Sequence, residues 1–183
     1  MNESNHWCDD AAELAKMRIL VIDDEPANIA LLEDILFEDG YTRVESVSDS
    51  KLALGTVRNY RPDLILLDLM MPPPDGFAIL DSLRNEEAEG FVAIIALTAD
   101  TNEETRRRAL QGGASDFLLK PFDHTEVILR IRNLLRTCRA HQLLDNQRAA
   151  FEDAVRERTA ELRAVITQLQ AGYELPPAEK SPH

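Results

Sequence analysis

The chain has 183 residues, 44% of them hydrophobic and 29% charged, with a formal net charge of −13. This composition excludes a disordered or membrane-embedded chain for its bulk, and the length allows one domain of about 100–150 residues plus a smaller appendage. The charge is uneven: residues 1–123 hold 11 basic and 25 acidic residues against 9 and 8 in 124–183, so the larger part repels nucleic-acid phosphates and no nucleic-acid binding is expected.

No window approaches about 18 uninterrupted apolar residues, so no membrane span is expected. The first residues, "MNESNHWCDDAAELAKMR", are acidic and have no apolar secretory core, so a cytoplasmic location is expected. Cys8 and Cys138 are far apart with no C-x-x-C spacing and read as reduced thiols.

From residue 18 to about 123, apolar runs bounded by turn signals alternate with segments of helical period. "RILVID" (18–23), "TRVESV" (42–47), "DLILLDL" (63–69), "FVAIIAL" (91–97) and "SDFLL" (115–119) read as strands. The third and fourth are almost continuously apolar, as central parallel strands covered on both faces must be. Pro26 suits the first turn of a helix that Gly40 stops; Asp75 or Gly76 can open a second, and Thr98 or Asp100 a third that Gly112 and Gly113 close. Five such βα units give an open, doubly wound α/β sheet, in which ligands sit beyond the carboxyl ends of the strands.

The character changes after Pro121. From Phe122 to Ala171 there is neither Gly nor Pro, so one helix of about 45 residues, on the order of 70 Å, is predicted. Its apolar residues Val127, Ile131, Leu134 and Cys138, then Leu144, Phe151, Val155, Leu162, Val165 and Leu169, step mainly by three and four. His141, Arg148 and Arg158 fall on the same seam, and the step 141–144–148 breaks the heptad phase. An imperfect two-stranded coiled coil, and hence a homodimer, is expected because the stripe outruns the domain; the alternative is a helix whose stripe packs only on its own domain. The expected organisation is an extension over 1–16, a domain over 17–136, a helical extension over 137–171 and a tail over 172–183.

Several polar residues fall at one edge of the proposed sheet. Asp23 and Asp24 end the first strand, Asp68 the third and Thr98 the fourth, and Lys120 follows the fifth. Each alone has an ordinary reading as a helix cap or a solvated side chain; their joint position does not. Three carboxylates at one edge repel one another unless a cation is present, and Mg2+ suits a site of few carboxylates with retained waters. A carboxylate so placed can act as a nucleophile on phosphorus, with the Lys120 ammonium and the Thr98 hydroxyl available to the phosphoryl oxygens.

"VIDDE" (21–25), "LLDLMMPPPDG" (66–76), "LTA" (97–99) and "LKPF" (119–122), in this order and spacing, resemble the receiver domain of bacterial two-component response regulators. The resemblance spans about residues 17–136. It implies a flavodoxin-like sheet of order 2-1-3-4-5, with Asp68 the phosphoacceptor for a sensor histidine kinase and no turnover activity beyond self-catalysed dephosphorylation. It further implies that Asp24, Asp68 and the Met70 carbonyl ligate Mg2+, with Asp23 acting mainly through water, and that Thr98 and Lys120 hold the phosphoryl group. Phe117 matches the aromatic switch position, and Met70 and Asp100 fall where dephosphorylation is modulated. The departure is "PPPDG", whose prolines fix φ, remove three donors and predict a stiff loop.

The segment "RNLLRTCRAHQLLDNQRAAFEDAVRERTAEL" is similar to linkers that join receivers to cyclic-dinucleotide phosphodiesterase domains, so a longer regulated enzyme is the alternative to a stand-alone receiver. A hydrolase of the haloacid dehalogenase type would want D-x-D near the first strand instead of "DDE". A flavodoxin-like nucleotide binder would want a hydroxyl- or glycine-rich loop where "DDEPAN" stands, and a purely structural coiled-coil adaptor would leave the edge cluster unexplained.

Overall fold

In the computed structural model, which describes residues 11–85 and 91–172, five parallel strands form one sheet. The strands are β1 (Ile19–Ile22), β2 (Val44–Val47), β3 (Leu64–Asp68), β4 (Ala93–Thr98) and β5 (Asp116–Leu119), in the order β2-β1-β3-β4-β5. The helices are α1 (Pro26–Glu38), α2 (Ala53–Tyr60), α3 (Gly76–Asn85), α4 (Glu103–Gly112) and α5 (His124–Gly172). This is the flavodoxin-like doubly wound arrangement.

The strand sequences account for their places. All residues of β1, β3 and β4 are buried, while the edge strands β2 ("VESV") and β5 ("DFLL") are mostly half-buried. Alternation along β3 sends Leu64 and Leu66 to one face and Ile65 and Leu67 to the other. On the first face they meet Leu32 and Leu36 of α1 and Val127, Ile131 and Leu135 of α5; on the second, Ala53, Phe77, Leu80 and Ala109 of α2, α3 and α4. The first core begins before β1: Leu14 and Met17 are buried in it, and the Ala15 carbonyl accepts from the Thr42 N–H at 3.2 Å.

Pro26 occupies the first turn of α1, and Gly40, at φ 90°, follows its end. Asp75 opens α3, its Oδ1 accepting from the Ala78 N–H at 2.8 Å. The start of α4 corrects the sequence reading. Neither Thr98 nor Asp100 caps it: Asn102 does, its side chain accepting from the Glu104 N–H at 3.0 Å. Thr98 stays in β4, and Asp100 is spent on the turn, accepting from the Asn102 N–H and the Thr105 hydroxyl. Gly113, at φ 111°, ends α4.

The chain divides into two units within α5, after Gln142. In the first unit the last turns of α5 are tied down by Gln142 Nε2, which donates to Asp63 Oδ1 at 2.7 Å, and by His141, stacked on Phe91 at 4.6 Å. His141, expected on a coiled-coil seam, therefore has a partner inside its own unit. In the second unit the helix is exposed along residues 143–169 and carries ion pairs such as Arg148–Glu152 and Arg158–Glu161. The expected tail beyond Gly172, and Cys8, lie outside the described residues. Among the described residues no helix is long and apolar enough to cross a membrane.

Candidate functional site

Parallel pairing in step, from Ile19 beside Leu64 onward, brings the ends of β1 and β3 to the same edge. Ile22 pairs with Leu67, so Asp23 and Asp68, the next residues, emerge side by side. Asp23, Asp24 and Asp68 each offer a carboxylate oxygen, and these three atoms lie within 4.8 Å of one another. Asp23 is fully buried and Asp68 nearly so, while Asp24 is exposed.

The sequence placed Lys120 at this edge, and its Nζ reaches both buried carboxylates, lying 2.7 Å from Asp23 Oδ2 and 2.7 Å from Asp68 Oδ2. Burial disfavours the charge of Lys120, but the hydrogen bonds to Asp23 and Asp68 outweigh it and raise its pKa above the ordinary lysine value. The backbone fixes its position: Lys120 N–H donates to the Thr98 carbonyl at 2.8 Å.

The remaining lone pairs are partly satisfied. Asp68 Oδ1 accepts from the Met70 N–H at 3.0 Å, and Asp23 Oδ1 accepts from the Glu25 N–H at 2.9 Å. Asn28 Nδ2 donates to both Asp23 oxygens at 3.1 Å. Sequence reasoning missed Asn28; its signal was position, since it falls one turn into α1 on the side of Asp23.

Thr98 is buried at the end of β4, and its Oγ1 accepts from the Asp100 N–H at 3.0 Å instead of bonding the Asp68 carboxylate. That leaves its own O–H proton free to donate. Phe117 is half-buried on β5, packed against the second core, with the Arg106 and Arg130 guanidinium carbons 5.1 Å and 5.8 Å from its ring centre. It borders an open cavity of about 580 Å³ along α4. The Met70 side chain is exposed and Met71 is buried.

The donor set fits a hard divalent ion. It consists wholly of carboxylate oxygens, and one ammonium offsets only one of three negative charges. A soft or redox metal would find neither thiolate nor imidazole here.

A parallel sheet of this order with acidic residues beyond β1 and β3 defines a receiver-type fold. The sequence matches the family model of the response regulator receiver domain over residues 19–132, and the chain belongs to that family. It is 40% identical over 119 residues to the response regulator PleD of Caulobacter vibrioides, covering 65% of this chain and 26% of that protein. It is 30% identical over 150 residues to a probable cyclic di-GMP phosphodiesterase of Vibrio cholerae, covering 82% of this chain and 34% of that protein. Among solved structures it is similar to the receiver domain of a sensor histidine kinase from Pseudomonas aeruginosa PAO1, which holds a magnesium ion in its active site cleft. That match has 34% identity and a TM-score of 0.60, covering 66% of this chain and 98% of the other. The chain spans about a quarter to a half of the length of the curated relatives it matches.

Proposed function

We infer that this receiver takes a phosphoryl group onto Asp68 from a phosphohistidine of a sensor histidine kinase. The observation that carries the reading is the pair of 2.7 Å contacts by which Lys120 holds Asp68 and Asp23 beside Asp24. A carboxylate oxygen of Asp68 attacks phosphorus, the phosphorus–nitrogen bond breaks, and the histidine leaves neutral after taking a proton from solvent. Asp24, Asp68 and the Met70 carbonyl would hold Mg2+, with Asp23 bound mainly through water. When bound, Mg2+ supplies positive charge to the carboxylates and the phosphoryl oxygens. Lys120 transfers one of its hydrogen bonds from Asp68 to a phosphoryl oxygen, and Thr98 offers the proton that its bond to Asp100 leaves free.

The added charge draws Thr98 toward Asp68, and Phe117 then reorients between Arg106 and Arg130, changing the surface of α4, β5 and α5. Phe117 has no hydroxyl, so its switch works by packing alone. The output is protein–protein contact by a homodimer joined through the second half of α5, without turnover activity, nucleic-acid binding or membrane attachment, in the cytoplasm. The exposed apolar residues Leu144, Phe151, Leu162 and Leu169 support the dimer.

A second reading has its own support. The alignment with the Vibrio cholerae phosphodiesterase spans 150 residues, so even if it began at residue 1 it would reach residue 150, well into α5. The receiver and its helix would then regulate an enzymatic domain of the same protein. The gene beyond codon 183 decides: a stop codon favours the stand-alone regulator, a continuing catalytic domain the second reading.

Asp68→Asn removes the acceptor while keeping its shape. The expected result is loss of label transfer from a phosphorylated kinase; undiminished transfer to this variant rules out the assignment. Removal of Mg2+ by chelation is expected to stop labelling of the unaltered chain.

A further inference from the structure

The β3–α3 loop carries Met70 to the carboxylates, yet it has few bonds of its own. Pro72, Pro73 and Pro74 have no N–H, so three successive peptide groups cannot donate. The base of the loop is closed by the Gly76 N–H, which donates to the Leu69 carbonyl at 3.2 Å. A Cβ at position 76 would lie 2.1 Å from the Asp68 carbonyl oxygen and 2.5 Å from Leu69 Cα, so only glycine admits that closure. At its start, the Met70 N–H is held by Asp68 Oδ1.

The tip is held from outside. Ser50, in the 3-10 turn Ser50–Leu52 that precedes α2, is buried, and its hydroxyl donates to the Pro72 carbonyl at 3.1 Å. That turn is itself fixed by Asp49, whose side chain accepts from the Lys51 N–H at 3.0 Å. A buried hydroxyl on an anchored turn therefore meets a segment that cannot replace the bond with donors of its own.

We propose that Ser50 is a positioning residue for the divalent cation: by holding Pro72 it sets where the loop carries Met70 beside Asp23, Asp24 and Asp68. This rests on the reading of that cluster as the Mg2+ site. It assigns Pro72 a role: a proline fixes its own φ and restricts the residue before it, so Met71 and Pro72, which link the Ser50 bond to Met70, have little freedom to absorb the constraint.

The test is calorimetric titration of Mg2+ into the full chain and its Ser50→Ala, Ser50→Thr and Asp24→Asn variants, with hydrogen exchange at the Met70 and Met71 amides. Ser50→Ala is expected to weaken Mg2+ binding about tenfold, the scale seen when a residue supporting a metal ligand is removed. The Met70 and Met71 amides should exchange faster in that variant. Ser50→Thr keeps the hydroxyl and should restore the affinity. A Ser50→Ala chain that melts earlier but binds Mg2+ unchanged overturns the proposal, as does equal weakening by Ala and Thr. If Asp24→Asn binds Mg2+ as tightly as the parent chain, the metal reading itself fails and the proposal falls with it, a result distinguishable from failure at Ser50 alone.

Discussion

The two halves of α5 share a helix and an apolar period but differ in what covers them. Val127, Ile131, Leu135 and Cys138 are fully buried against one face of the sheet, whereas Leu144, Phe151 and Leu162 are 62%, 71% and 64% exposed. Helical spacing of apolar residues records amphipathicity and does not say what the apolar face meets. In the first half β1, β3 and β4 supply the cover; in the second the described residues 143–169 are exposed.

Truncation of side chains on the two halves should separate them most. Ile131→Ala leaves a cavity in a closed core and is expected to cost about 2–5 kcal/mol in urea unfolding, while Leu162→Ala in dilute solution should stay within about 0.5 kcal/mol. Equal losses would erase the distinction.

Alkaline titration sharpens the same contrast. Burial pushes the Cys138 thiol up from 9.0 to about 11. A raised folded value means that its contribution is complete below pH 9 and is lost as pH rises through 11, on the order of 2 kcal/mol by that point. Lys120 acts in the same direction: its contribution is complete below the ordinary lysine value of 10.5 and is lost as pH rises through its higher folded value. Urea midpoints at pH 8 and pH 11 should therefore differ, and Cys138→Ala should narrow the gap. A gap unchanged in that variant would mean that Cys138 ionises freely in the folded chain.

Sedimentation tests the exposed half directly. A chain ending at residue 140 is expected to be a monomer, and the chain ending at 183 a dimer; equal monomeric masses would remove the coiled coil. The smallest effect belongs to the ion pairs along that half. Arg148→Ala breaks an exposed contact with Glu152 and should leave the urea midpoint nearly unchanged. A larger loss would mean that Arg148 is buried in an assembly.

Much of the site was legible because its residues end strands, and strand ends are marked by apolar runs meeting turn signals. Asp23, Asp24, Asp68, Thr98 and Lys120 could be placed at one edge from this alone. The start of α4 was not legible, because "TADTN" offers several capping side chains and local sequence does not say which one the strand retains. Thr98 was kept by β4, whose carbonyl pairs with Lys120, and the cap passed to Asn102. Asn28 and Ser50 were missed for another reason: an amide on a helix or a serine in a turn has no signature until its partner is known.

By itself the sequence determined the alternation of strands and helices, the long last helix and the chemical types gathered at the carboxyl edge, since these follow from periodicity and from where apolar runs stop. Only the tertiary structure decided that Lys120 bridges two buried carboxylates, that Ser50 meets Pro72 and that Gln142 meets Asp63. Those contacts join residues 97, 52, 22 and 79 positions apart, and packing, which local propensity cannot encode, sets which distant side chains come within hydrogen-bond reach.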